Sequence, residues 1–240
     1  MEYPLQIENF YEDPEKVREV ALTQEYQPAS VLGGNWPGIR TIYLNNIVPD
    51  IYNQFINRLY NFLGWPPDKS AYFETSFQLC DQDDGNSWVH QDDFHQYTHI
   101  AMVFLQPNPQ PNSGTLLYNI KEGISEEDGG KNWHHSLNTG DPRFYKIKKR
   151  FNNIYNSCIL YSPSEWHKSD EYFGNSRDDA RLTQICFFRE DSNRVSTPHL
   201  LEPPGNEDYT SSTRSFIKDT HNIRFDKHKE AGFERTHGAH

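Results

Sequence analysis

Only three cysteines, Cys80, Cys158 and Cys186, occur in 240 residues, and no two are spaced as CxxC. That excludes a paired-cysteine metal or redox motif, and their apolar neighbours mark them as buried free thiols of a reducing compartment. Long apolar runs are missing as well. No stretch approaches the roughly 18–20 residues of a membrane span, so no membrane partner is expected. The opening MEYPLQIENF has no apolar core of a secretory leader, and a cytoplasmic protein is expected. Positive charge is scarce: the formal net charge is −11. A nucleic-acid backbone needs a basic face, so the balance argues against that partner. No internal repeat is present.

What is there is aromatic. Hydrophobic residues make up 35% of the chain, but Phe, Trp and Tyr alone reach 14%, so aromatic side chains carry much of the apolar surface between facing sheets. The first part of the chain reads as helical. LQIENF (5–10) opens as a strand; Asp13 then caps a helix with Pro14 at its first position, running through 15–24. Residues 29–40 form a Gly- and Pro-rich loop, and 41–46 form a short strand or turn. In 49–64, Ile51, Phe55, Leu59, Tyr60 and Phe62 recur three and four apart, and Gly64 and Pro66 end the helix.

After residue 70 the pattern changes to strands at 71–80, 98–106, 114–120, 154–162 and 181–189, separated by the turn clusters DQDDGN, PNPQPNSG and SDEYFGNSRDD. Helices followed by short antiparallel strands point to an α+β fold with a sandwich or barrel. A polar insertion spans 121–153. It carries Trp133 beside His134 and His135, a short helix start at Asp141-Pro142, and the basic run KIKKR (146–150). KIKKR reads as a solvated face or an anionic-substrate contact; Trp133 reads as part of a lid or as exposed chain. Insertions of this length and loop 29–40 are where selectivity is expected. The reading is one domain over 1–202, with a lead-in at 1–70 and a core at 71–190, followed by a polar tail at 203–240.

The densest chemistry lies in SWVHQDDFHQYTH (87–99), with three histidines and two close aspartates. If His90-Gln91-Asp92 ends a strand, His90 and Asp92 face one side and Gln91 the other. Asp93 replaces Asp92 if the strand ends earlier. His95 and His99 read as surface residues or neighbours of the site, since HQYTH has no glutamate after its first histidine. Two histidines and one carboxylate form a facial triad that leaves open positions on iron, and His167 in SPSEWHKSD follows a later strand. Arg181 opens the last strand, with Thr183 on the same face. An inward arginine needs an anionic partner, because burying it unpaired is costly, and a guanidinium grips a carboxylate through two parallel hydrogen bonds. A surface ion pair with Asp178 or Asp179 is the plainer alternative. Gln78 and Tyr118 either line the pocket or simply pack.

HQD at 90–92, His167 and RLT at 181–183, in that order on successive strands, resemble the 2-oxoglutarate/Fe(II)-dependent dioxygenases, in particular their prolyl-hydroxylase-like and phytanoyl-hydroxylase-like branches. ENFYEDPEKVREVA and the helix at 49–64 resemble the helical lead-in of these proteins. The resemblance implies a double-stranded β-helix, a jelly-roll or cupin-like barrel, with N-terminal helices packed on one sheet. It implies Fe(II), 2-oxoglutarate and O2, and hydroxylation of a C–H bond in a small molecule or peptide. By the same resemblance His90, Asp92 and His167 match the iron ligands. Arg181 matches the partner of the far carboxylate of 2-oxoglutarate, and Thr183 its helper. The presence of Asp92 implies hydroxylation rather than halogenation. The stretch from His167 to Arg181 is longer than the family usually shows, and Arg177 falls inside the turn. A zinc or manganese protein of cupin type and a non-catalytic binding module are the other readings of the same ligand set.

Overall fold

The computed structural model describes residues 4–85, 87–123 and 144–191. The lead-in holds β1 (Leu5–Ile7), α1 (Pro14–Thr23), β2 (Gln27–Pro28), α2 (Ala29–Leu32), β3 (Ile39–Arg40), α3 (Leu44–Ile47) and α4 (Pro49–Leu63). The strands that follow are β4 (Ala71–Cys80), β5 (His99–Phe104), β6 (Thr115–Ile120), β7 (Tyr145–Phe151), β8 (Cys158–Tyr161), β9 (Trp166–Ser169) and β10 (Arg181–Glu190). They form a seven-stranded sheet in the order β1-β8-β5-β10-β4-β3-β2 and a three-stranded sheet in the order β7-β6-β9. Every strand pair is antiparallel. No helix among the described residues is long and apolar enough to cross a membrane.

Alternation along the large sheet divides two cores. Ala101, Val103 and Leu105, Cys158 and Leu160, and Leu182, Cys186 and Phe188 face the helices. There they pack with Val17 and Ala21 of α1 and Ile51, Phe55 and Leu59 of α4. The residues in between, Ile100, Met102 and Phe104, Ile159 and Tyr161, and Ile185, face Leu117 of β6 and Phe151 of β7. Strands buried on both faces read as continuous apolar runs, which is why β5, β8 and β10 stand out in the sequence. The three cysteines are buried, and none forms a disulfide among the described residues.

The helix ends follow their capping chemistry. The Asp13 carboxylate accepts from the Lys16 amide at 3.1 Å, with Pro14 at the first position. Gly64 closes α4 at φ 66°, a conformation that costs glycine little. Residues 41–46 differ from expectation, since Leu44–Ile47 is a helical turn. Loop 29–40 also contains a helical turn and β3.

KIKKR differs most. Rather than belonging to a polar insertion, it is the body of β7, with only Tyr145 and Phe151 buried at its ends. An edge strand exposed on both faces shows no apolar alternation, and its charges discourage pairing with other chains. Lys148 pairs with Glu165 at 2.7 Å, and Arg150 pairs with Asp170. Trp133, His134, His135, Asp141-Pro142 and the tail from 203 lie outside the described residues.

Phe55 is fully buried between α4 and the large sheet, whereas Ile147 on β7 is 51% exposed. Phe55→Ala is expected to lower unfolding free energy by about 3–5 kcal/mol in a denaturant titration, and Ile147→Thr by less than about 0.5 kcal/mol. A comparable loss in both would contradict this division of the core.

Candidate metal centre

One antiparallel contact brings the three residues together. The His90 amide donates to the His167 carbonyl at 2.9 Å, and the His167 amide donates back to the His90 carbonyl at 2.8 Å. Residues that exchange both bonds stand opposite each other with side chains on one face. His167 belongs to β9, so the segment around His90 lies beside the small sheet. Two residues on, the Asp92 amide donates to the Pro163 carbonyl at 3.0 Å. The period of two puts Asp92 on the face of His90. Gln91 turns away, its side-chain amide donating to the Ser164 carbonyl at 2.6 Å.

The side chains converge accordingly. His167 Nε2 stands 3.1 Å from Asp92 Oδ2, and His90 Nε2 stands 3.6 Å from Asp92 Oδ1. One ligand atom from each residue fits within 4.8 Å of the others, an arrangement able to hold a metal ion. Each ring is aimed by a local hydrogen bond. His90 Nδ1 meets the Trp88 carbonyl at 2.9 Å, and His167 Nδ1 meets the Glu165 carbonyl at 2.8 Å. A carbonyl only accepts, so each Nδ1 donates to it and each Nε2 is left facing Asp92, where it could hold a metal in place of a proton. Burial opposes the charge on Asp92, but His167 and His90 outweigh it and hold the carboxyl well below its usual range. Burial likewise works against a charged His167, and the Asp92 carboxylate raises it nevertheless. The triad thus pairs an ionised carboxylate with two imidazoles aimed at one point.

Asp93 has a different job. Its Oδ1 accepts from the amides of His95 and Gln96, closing the turn after the site. His95 is exposed. His99 stacks on Phe188, away from the triad. Tyr118 packs in a small core with Val89, Leu116 and Tyr145.

Arg181 is 1% exposed. Its Nε donates to the Ser113 carbonyl at 2.8 Å, and Nη2 reaches the Gly114 carbonyl at 3.3 Å. Among the described residues it forms no ion pair. Asp179 instead caps the turn amides of Asn175 and Ser176, and the Asp178 carbonyl accepts from Arg18. Arg177 bonds the Gln24 carbonyl and stacks on Tyr26, outside the inner face. Thr183 is fully buried, and its Oγ1 has no hydrogen-bond partner among the described residues.

Arg40 went unnoticed in the sequence. It stands opposite Gln78, which stands opposite Thr183, which faces Phe104. These four residues therefore form one row across the inner face of the large sheet. Gln78 Nε2 donates to the Pro37 carbonyl at 2.8 Å, which turns its oxygen toward Arg40 Nη2 at 3.3 Å. Burial pushes Arg40 down to about 10, a fall that nearby Cys80 and Asp92 limit, so it stays charged at neutral pH. β3 is two residues long, too short for any period to show. Its sequence signal is Gly38, at φ 73°, where a Cβ would meet the Leu79 carbonyl oxygen at 2.2 Å. Only glycine lets β3 lie this close to β4.

No protein family and no curated protein matches the chain. Solved structures do. HygX from Streptomyces hygroscopicus, with nickel, 2-oxoglutarate and hygromycin B bound, is 12% identical at a TM-score of 0.55, covering 78% of this chain and 82% of its own. A prolyl hydroxylase from Trichoplax adhaerens, in complex with a hypoxia inducible factor peptide fragment, is 9% identical at a TM-score of 0.52, covering 82% and 87%. EvdO2 from Micromonospora carbonacea var. aurantiaca is 13% identical at a TM-score of 0.50, covering 79% and 89%. The chain has the fold of the 2-oxoglutarate- and Fe(II)-dependent oxygenases.

Proposed function

We propose that this protein is a non-haem Fe(II)- and 2-oxoglutarate-dependent dioxygenase that hydroxylates a C–H bond of an amino-acid or peptide side chain or another small molecule. The observation that carries this reading is the convergence of His90, Asp92 and His167, with both histidines aimed through Nδ1 by their own backbone. Three ligands on one side leave three positions of an octahedral ion open, as the facial triad of such oxygenases requires. The two sheets are the halves of a double-stranded β-helix, and 1–202 form a single oxygenase domain. The free, buried cysteines support a cytoplasmic setting.

The rest of the inner face fits the co-substrate. Arg181 is a buried cation bonded to two carbonyls and lacking an ion-pair partner among the described residues. Thr183, two residues along, offers an unused hydroxyl. Together they match a carboxylate that accepts from both, which makes them the holders of the far carboxylate of 2-oxoglutarate. When bound, iron and 2-oxoglutarate use O2 to supply the oxidation of the C–H bond. The chain fixes the donor atoms, fixes the anion and excludes water. The small molecule in HygX and the peptide in the prolyl hydroxylase support either substrate class.

Added Mn(II) is expected to raise the melting temperature of the apoprotein, by about 2.7 kcal/mol of stability at one hundred times Kd. His90→Ala, Asp92→Ala and His167→Ala are expected to lose that gain, and an unchanged gain in all three places the metal elsewhere.

Under anaerobic conditions, Fe(II) followed by 2-oxoglutarate is expected to give the visible charge-transfer absorption of a chelated keto acid. Arg181→Ala is expected to weaken 2-oxoglutarate by about 10- to 100-fold, the loss of charge-assisted hydrogen bonds, with iron affinity within about twofold. Thr183→Ala should weaken it by about 3- to 10-fold. If iron binds and no absorption appears, the co-substrate assignment fails, and a cupin-type metalloprotein or a non-catalytic binding module on this fold remains.

A further inference from the structure

Arg40 and Trp36 leave a second set of donors on the inner face. The Arg40 guanidinium lies over the Trp36 ring, 4.3 Å from its centroid. Among the described residues, Arg40 Nε and Trp36 Nε1 are both buried N–H donors without a hydrogen-bond partner. Two orphaned donors on one stacked pair are costly unless an acceptor fills the space beside them. The pair is held in place from below. The Trp36 ring occupies the position a Gly34 side chain would take, with a ring atom 1.5 Å from an added Cβ. Gln78, tied to the Pro37 carbonyl, positions the guanidinium from the other side.

The charges around Arg40 leave the position open to a ligand. Arg40 forms no ion pair among the described residues. Asp92 is the carboxylate within its electrostatic reach, and Asp92 is already committed to His167 and His90. Glu74, further along the inner face of β4, presents no such demand. Its two oxygens accept from Tyr72 and Tyr97, each at 2.5 Å. The cation is left unanswered while the anion is answered, so this stretch of the face calls for a negative ligand.

The position separates this ligand from 2-oxoglutarate. Arg40 is two strands from Thr183, about 10 Å at the usual strand spacing. Arg40 lies in the row on the inner face, the side of the large sheet that packs against the small sheet carrying His167, and Asp92 acts electrostatically on it.

We propose that Arg40, with Trp36, forms the substrate-anchoring subsite, and that the substrate carries an anionic oxygen group, a carboxylate or a phosphate, which docks there beside the metal. This rests on the inner face being the reaction chamber, as the oxygenase reading has it. The planar guanidinium and the indole N–H each supply a donor to such a group, and the stack on Trp36 restricts the motion of the arginine before the ligand arrives. Arg40 is then a specificity-determining residue for whatever is oxidised.

The test uses three probes with one ring and three head groups: benzoate, phenylphosphonate and benzamide. Each is titrated by calorimetry into the full chain loaded with Zn(II) and saturating 2-oxoglutarate, so that Arg181 is already engaged. At least one anion is expected to bind about tenfold or more tightly than benzamide, and the tighter anion names the head group. Arg40→Gln is expected to abolish that preference with the melting temperature little changed, and Trp36→Phe, which keeps the stack but loses the donor, to reduce it by about threefold or more. Arg40→Lys should restore part of the preference. The proposal is overturned by equal binding of the three probes, by no saturable binding of either anion, or by an undiminished preference in Arg40→Gln. It is also overturned if the preference survives in Arg40→Gln and disappears in Arg181→Ala. A merely structural Arg40 would show a lower melting temperature with the preference intact. The Fe(II) charge-transfer absorption, recorded on the same preparations, reports separately on the oxygenase reading. Its absence alongside an intact anion preference would sink that reading and leave this subsite standing.

Discussion

The reciprocal backbone pair between His90 and His167 is the constraint on which the site depends. It is a single bridge of two hydrogen bonds, outside the regular strands on the His90 side. Through it, residues 77 positions apart in the chain become direct neighbours, and the alternation of extended chain adds Asp92 to the same face. Without this bridge HQD is a polar loop; with it, three donor atoms share one point. The helices and the large sheet contribute by holding the small sheet in register, with Leu117 and Phe151 seated against Ile100, Ile159 and Ile185.

The inner face of the large sheet divides its polar residues by whether their needs are met. Glu74 is saturated by phenols, and Gln78 is bonded at both ends. Among the described residues Arg181 is bonded to carbonyls without a counter-charge, and Thr183, Arg40 and Trp36 each keep a buried polar atom without a hydrogen-bond partner. A folded interior normally pairs such atoms. Three of them lie along one row and its edge, on the face that the small sheet with His167 covers.

Much of this was legible in the sequence, and the rest was hidden for physical reasons. α4 has a clean three-and-four repeat from Ile51 to Leu59, and β5, β8 and β10 carry apolar runs buried on both faces, so their signals are strong. The side-by-side placement of His90 and Asp92, and the shared face of Arg181 and Thr183, follow from the strand period alone. β7 was missed because its middle is exposed on both sides and charged, and β9 because four residues between turns leave no pattern. Arg40 was missed because β3 is two residues long. What exposes it is cross-strand register, Arg40 to Gln78 to Thr183, and register is a property of pairing across distant segments that a linear pattern does not carry.

The hydrogen bonds to the two histidine rings carry a wider consequence. Both rings take their bearing from a carbonyl two residues upstream, Trp88 for His90 and Glu165 for His167. No side chain elsewhere in the pocket is needed to point them. Aim and appetite are therefore separable in this molecule. Substitutions at Arg40, Trp36 and Gln78 leave untouched the hydrogen bonds that give both rings their bearing.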